Sequence, residues 1–278
     1  MSFKLFEIGS QSGRPVSLYE FRWGNTRWRY TSSDREMTFG VDEDGITPKV
    51  WTPVAIKDDG VTQGSSPSEF TVSLPANLPI VGLYRSTPPA ESIWLTVYRY
   101  HFGDAEAQTF WVGTVGNVKR LSIAKAQVFG LPISGTLRRT GLRLCWEKQC
   151  PYMLYDQDCK VSKAAFAYDT TITALVGGKM SVAALGTWPG ELYLGGFFEW
   201  EVNEDGTMDR RGIEGYDGAL GFTIFGSVDR LEVGSAVTMY IGCDLSPERC
   251  QNVFANLPNH GGFRFMPGKS PFDGTPVF

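Results

Sequence analysis

Alternation of apolar and polar side chains, renewed in run after run and cut by turn residues, sets the first limit on what this chain can become. Ile93 to Tyr100 reads IWLTVYRY, with Ile93, Leu95, Val97 and Arg99 on one face and Trp94, Thr96, Tyr98 and Tyr100 on the other. A period of two belongs to a strand and puts a helix face out of register. Phe70, Val72 and Leu74 repeat the pattern ahead of Pro75. Trp51 with Val54 and Ile56, then Phe110 with Val112, add further strands. Asp44-Gly45 and Asp59-Gly60 have hairpin-turn chemistry, and the Ser-rich stretch at 64–68 reads as an exposed loop. Few segments here support a helix of more than two turns. The fold class is therefore mainly β.

The second half shows the same habit. Leu192 to Val202 (LYLGGFFEWEV) reads as a strand, Asn203 to Gly206 as a turn, and a new run starts at Thr207. Phe222 to Val228 and Val237 to Ile241 read as further strands. One helix signal stands out at Ser246-Pro247-Glu248: an N-cap serine, proline at the first helical position and an acid beside it. That helix would carry Cys250, Val253 and Phe254 and stop between Asn256 and Pro258. A chain of 278 residues favours two domains. The pattern loosens and turns basic at Arg138 and Arg139, which divides the chain into 1–138 and 139–278.

The hydrophobic share of 42% supports a sizeable core and argues against wholesale disorder. The net charge of −4 and the lack of a basic stripe speak against nucleic-acid recognition. Met1 to Ser10 lacks the basic and apolar blocks of a secretory signal, and no apolar run approaches the ~20 residues that cross a bilayer. Thiols are thus expected to start free in a reducing cytosol, without stable membrane insertion.

All five cysteines, Cys145, Cys150, Cys159, Cys243 and Cys250, fall in the second half. Three readings compete. Free cysteine packs as a small hydrophobe, so ordinary buried thiols are the plain reading. An odd count in a reducing compartment speaks against a disulfide framework. The third reading is a metal site. Cys-x8-Cys and Cys-x6-Cys are not the tight knuckles of most zinc sites, yet four thiolates from separate loops suit either zinc or a [4Fe–4S] cluster. Cys250 would sit in the first turn of the expected helix, whose dipole favours a thiolate. Gly242 would let backbone approach a cluster closely.

The fragments CPYMLYDQDC from Cys150 to Cys159, Gly242-Cys243-Asp244, Arg249-Cys250, Val253-Phe254-Ala255-Asn256 and the ending NLPNHGGFRFMPGKSPF from Asn256 to Phe272 form a larger pattern. Together they resemble the C-terminal module of phage tail-tip (baseplate hub) proteins of Mu-like siphophages, gene-transfer agents and lambda-like tails, over residues 138 to 272. The resemblance implies a virion protein of a long-tailed phage, with a β-barrel, tail-tube-like hub domain in 1–138. A four-cysteine metal-binding module with a short helix would follow in 139–278. It implies a homotrimeric ring at the distal tail tip that closes the tube and meets the distal tail protein and the central spike or fibre. Carried over by position, Cys150, Cys159, Cys243 and Cys250 would hold a [4Fe–4S] cluster, with zinc as the alternative, and Cys145 is left over. The sequence departs from that family at Asn259-His260-Gly261, where an aromatic residue is commoner than His260, which puts an imidazole near the metal.

No enzymatic role is expected. A Cys–His hydrolase of the cell wall would have to use His260, since His101 closes a strand-like run. Asp42, Glu43 and Asp44 form an acidic cluster that a turn explains as well as calcium does. Gly177-Gly178-Lys179 lacks the spacing of a phosphate loop. The many aromatics leave a carbohydrate-binding adhesin of the tail tip as the alternative to barrel filling and subunit interfaces.

Overall fold

The computed structural model describes residues 7–8, 15–61, 70–138, 141, 144–218 and 220–266. The expected loop at 64–68, most of Met1 to Ser10 and the end of the hub-like motif at 267–272 lie outside these residues. The chain divides into two compact units: Met1–Arg139 with Glu201–Asp209, and Thr140–Trp200 with Arg210–Phe278. Among the described residues no helix is long and apolar enough to cross a membrane.

The first unit is built on a nine-stranded sheet. Its strands are β1 (Pro15–Trp23), β2 (Thr26–Thr31), β3 (Met37–Val41), β4 (Pro48–Pro53), β5 (Lys57–Asp58), β6 (Phe70–Pro75), β7 (Trp94–His101), β8 (Ala107–Arg120) and β9 (Lys125–Pro132). They lie in the order β3-β4-β2-β1-β7-β8-β9-β6-β5. The pleat sorts the side chains as the alternation requires: Ile93, Leu95 and Val97 are fully buried, as are Phe70 and Val72. They join Phe21, Trp23 and the short helix α1 (Pro79–Leu83) in one core. Within this unit, Thr207 is buried and its hydroxyl accepts the backbone N–H groups of Asn25 and Thr26, each at 3.1 Å. The hairpin turn of β1 and β2 is pinned there. On the core face itself, Asp58 receives Arg99 in a two-pronged ion pair at 2.7 and 2.9 Å and the hydroxyl of the buried Tyr19 at 2.5 Å.

The second unit contains a closed barrel of six strands, except that 201–203 and 207–209 of two of them count with the first unit. The six are β10 (Ala167–Val176), β11 (Lys179–Val182), β12 (Phe197–Asn203), β13 (Thr207–Tyr216), β14 (Gly221–Ile224) and β15 (Ala236–Tyr240), in the order β10-β11-β14-β13-β12-β15. β15 pairs with β10 across 65 and more residues of sequence, Thr171 opposite Ala236, and closes the ring. Ile172, Met180, Phe198, Phe222, Val237 and Met239 fill the interior.

The mainly β class expected from the sequence is the class observed, and a barrel is present. The closed barrel belongs to the second unit, however, whereas the barrel expected in 1–138 is a nine-stranded sheet. A second correction concerns Leu192 to Gly196. The expected strand begins only at Phe197, because Pro189 opens a 3₁₀ turn at Gly190–Tyr193 and the Leu194 N–H turns back to the Glu191 carbonyl. The expected helix forms as α2 (Pro247–Asn252), with the Ser246 hydroxyl accepting the Arg249 N–H at 3.1 Å.

Candidate metal centre

Three stretches of the second unit deliver the thiols. The first, 150–159, is a loop organised by Asp156, whose carboxylate accepts the N–H groups of Met153, Asp158 and Cys159 at 3.1, 3.0 and 2.6 Å. Short acidic side chains close turns in this way. Next to it Tyr155, at φ 69°, sends its hydroxyl to the Ile241 carbonyl at 2.9 Å and ties the loop to the end of β15. The second stretch, Gly242-Cys243-Asp244, leaves β15 as a tight turn, where the Asp244 carboxylate accepts the Ser246 N–H at 3.0 Å. The third is α2, which carries Cys250. The Cys150 N–H donates to the Leu245 carbonyl at 3.0 Å, so the first loop and the second turn are joined by backbone as well.

Cys150, Cys159, Cys243 and Cys250 line one small cavity, with Tyr152, Leu154, Val161, Phe254 and His260 among its walls. Among the described residues no Asp, Glu, Lys or Arg side chain contributes to the lining. Cys150 and Cys250 are buried and Cys159 and Cys243 half-buried, while Cys145 is exposed and takes no part. Three of the four sulfurs accept N–H groups: Cys243 from Leu245 N at 3.3 Å, Cys150 from Gly261 N at 3.4 Å and Cys159 from Asn256 Nδ2 at 3.9 Å. Such bonds stabilise a thiolate more than a thiol. Among the described residues no three His, Cys, Asp or Glu side chains are grouped to hold a single metal ion.

Burial pushes the Cys250 thiol up to about 11, with the charges of Cys243, Cys150 and Cys159 adding to it. Burial also raises Cys243, against the N–H of Leu245, which lowers it. The helix start therefore does not activate Cys250 as expected; α2 spans six residues and desolvation wins. A soft cation is the partner that makes such crowded, buried thiols ionise together.

Two glycines of the hub-like motif are explained by close approach. A side chain on Gly242 would meet the Leu194 carbonyl oxygen at 2.0 Å and Gly196 N at 2.4 Å. The contact is with backbone between the 3₁₀ turn and β12. On Gly262 a side chain would meet the Lys148 and Gln149 carbonyl oxygens at 2.5 and 2.6 Å. His260 does line the cavity. Its Nδ1 accepts the Gly262 N–H at 3.1 Å, which leaves Nε2 to donate toward the Leu245 carbonyl at 3.4 Å. Both ring nitrogens thus have backbone partners, and among the described residues neither is hydrogen-bonded to a thiol, the contact a Cys–His hydrolase would use. Asp42 is engaged by Arg29, Glu43 by Arg22 and Arg27, and Asp44 caps Ile46 and Thr47, as the turn reading of that acidic cluster requires.

Sequence reasoning named the four cysteines and missed their supports. Asp156 was legible as an Asp-x-x-Cys turn, but Asn256, which also donates to the Cys159 carbonyl at 2.5 Å, carries no local signal because its partner is 97 residues away.

Comparison with known proteins places this site in context. A family model described as "Phage conserved hypothetical protein BR0599" matches residues 191–270, a span that contains Cys243 and Cys250. An uncharacterized protein of Xylella fastidiosa (strain 9a5c) is 27% identical over 164 residues, 53% of this chain and 33% of that protein. This chain thus aligns with about a third of that relative's length. A solved chain from the "Virion of native gene transfer agent (GTA) particle" superposes with a TM-score of 0.74 over 100% of this chain and 99% of that one, at 17% identity. The two chains share a fold from end to end.

Proposed function

We propose that this chain is a structural subunit of a phage or gene-transfer-agent tail, placed at the distal tip as a hub. Its second unit would be fastened by a metal centre on Cys150, Cys159, Cys243 and Cys250. The observation that carries the reading is the meeting of four thiols, from stretches nearly a hundred residues apart, around a cavity whose wall has no Asp, Glu, Lys or Arg among the described residues. The end-to-end fold likeness to a virion chain and the phage family match over 191–270 supply the context.

The donor set fits a soft metal group: four sulfurs, N–H donors to three of them and, among the described residues, no competing carboxylate. A [4Fe–4S] cluster is the first reading and zinc the alternative, and the two differ in how they would draw the sulfurs together. One zinc ion draws its sulfurs to about 2.3 Å from a single point, whereas in a cluster each cysteine binds its own iron. The group would contribute folding free energy as a cross-link and no chemistry on a substrate. The chain's own residues set the geometry: Asp156 shapes the first loop, the Cys150–Leu245 backbone bond joins it to the second, and Ser246 caps the helix that offers Cys250.

In the hub reading the chain is not an enzyme. It assembles as a homotrimer against a distal tail protein and a central spike or fibre, in the virion and not free in the host. Gold labelling of a short epitope appended to this chain tests the placement. Label at the tail end distal to the capsid is expected. Label on the capsid, or particles lacking the chain altogether, would overturn the reading.

A further inference from the structure

A groove of about 500 Å³ runs over the solvent face of the first unit's sheet, far in sequence from any cysteine. Strand register builds its floor. Arg22 on β1 lies opposite Trp94 on β7, Glu20 opposite Thr96, and Glu20 and Arg22 face Arg29 and Arg27 across β2. Alternation puts all of these on the side away from the core. Trp94 is 43% exposed, a large ring left bare on a β surface whose other face buries Leu95 and Val97 completely.

Charge decides what could lie there. Three cationic and three anionic side chains line the groove, Arg22, Arg27 and Lys49 with Glu20, Asp42 and Glu43. Its field is close to balanced, which suits neither a phosphate nor a cation. The base is tight: Arg29 Nε meets Glu20 at 2.7 Å and Arg29 Nη1 meets Asp42 at 2.9 Å. The upper layer is loose. Lys49 to Glu20 is 3.3 Å, Tyr98 Oη to Glu20 3.4 Å, Arg22 to Glu43 3.2 Å and Arg27 to Glu43 3.4 Å. Long bonds of this kind leave donors and acceptors free to be shared with incoming hydroxyls. A ligand that matches must be neutral, rich in groups that donate and accept, and apolar on one face to cover an indole.

We propose that this groove binds a neutral saccharide segment, with Trp94 stacking on a sugar ring and the Glu20–Lys49 and Arg22–Glu43 pairs taking its hydroxyls. The inference stands on the first unit alone and does not depend on the metal centre.

The test uses the full chain, with saturation-transfer NMR and calorimetry against maltohexaose, cellohexaose, chitohexaose and inorganic phosphate. Saturable binding of at least one hexasaccharide is expected. Its affinity should fall about tenfold in Trp94→Ala, stay within about threefold in Trp94→Phe, and weaken severalfold in the exposed-site variant Arg22→Gln. Thermal unfolding of each variant confirms that the fold is kept. No saturation by any of the sugars overturns the proposal. So does wild-type affinity in Trp94→Ala, or competition by phosphate for the same site.

Discussion

Replacing Gly242 by alanine adds one carbon at the point where β15 hands the chain to Cys243. That carbon would sit 2.0 Å from the Leu194 carbonyl oxygen and 2.4 Å from Gly196 N. Real contacts of this type are more than an ångström longer, and both obstacles are backbone, so no side-chain rotation relieves them. The Gly242 N–H is also held by the Leu192 carbonyl at 2.7 Å, which stops the strand end from drifting outward. Overpacking of this kind costs about 1–3 kcal/mol, and the rigid surroundings put Gly242→Ala at the upper end. In a domain of this size about 3 kcal/mol corresponds to a fall in melting temperature on the order of 10 °C. Because Cys243 is the next residue, the displacement should also lower metal retention. Differential scanning calorimetry with metal analysis reads both effects. Gly82→Ala is the control, since a side chain there meets nothing within 4 Å and the site lies in a helix. A melting temperature within about 2 °C of wild type in Gly242→Ala, with full metal content, would refute the steric reasoning.

Other outcomes follow from the same geometry. Burial would raise the Asp58 carboxyl, but the hydrogen bonds and charge of Arg99 and the Tyr19 hydroxyl outweigh it and hold the group below the usual carboxylate range. Its contribution to stability is therefore complete above the unfolded value of about 3.9 and is lost as pH falls through the lower folded value. Urea titrations should show Asp58→Asn less stable than wild type at pH 6, with the gap closing toward pH 2. Ser246→Ala removes the cap of α2 and should cost about 1 kcal/mol, read as a lower melting temperature and faster loss of metal to chelator. Cys145→Ser should leave stability and metal content unchanged, because this thiol is exposed and outside the cavity; a drop in metal would mean that the ligand set was misassigned.

Local chemistry was legible and long-range pairing was not. Ile93 to Tyr100 and Phe70 to Leu74 declared themselves as strands because the pleat imposes a period of two on any sheet with one wet face. Ser246-Pro247-Glu248 declared a helix start because capping and proline act within four residues. Barrel closure rests on β10 meeting β15, and no periodicity encodes which distant strands pair. Leu192 to Gly196 misled for a related reason. Its apolar content suits a strand, but the Pro189–Gly190 start bends it into a turn that buries Tyr193. The cysteines were legible as a set only through the hub-like motif; their spacing alone left buried thiols as the plain reading, with disulfides and a metal site beside it.

Anaerobic purification of wild type and Cys159→Ser, followed by iron, acid-labile sulfide and zinc analysis, tests the central claim most directly. The account predicts a brown wild-type protein with about four irons and four sulfides per chain, and little metal in Cys159→Ser. A folded, colourless wild-type protein with neither iron nor zinc would contradict it.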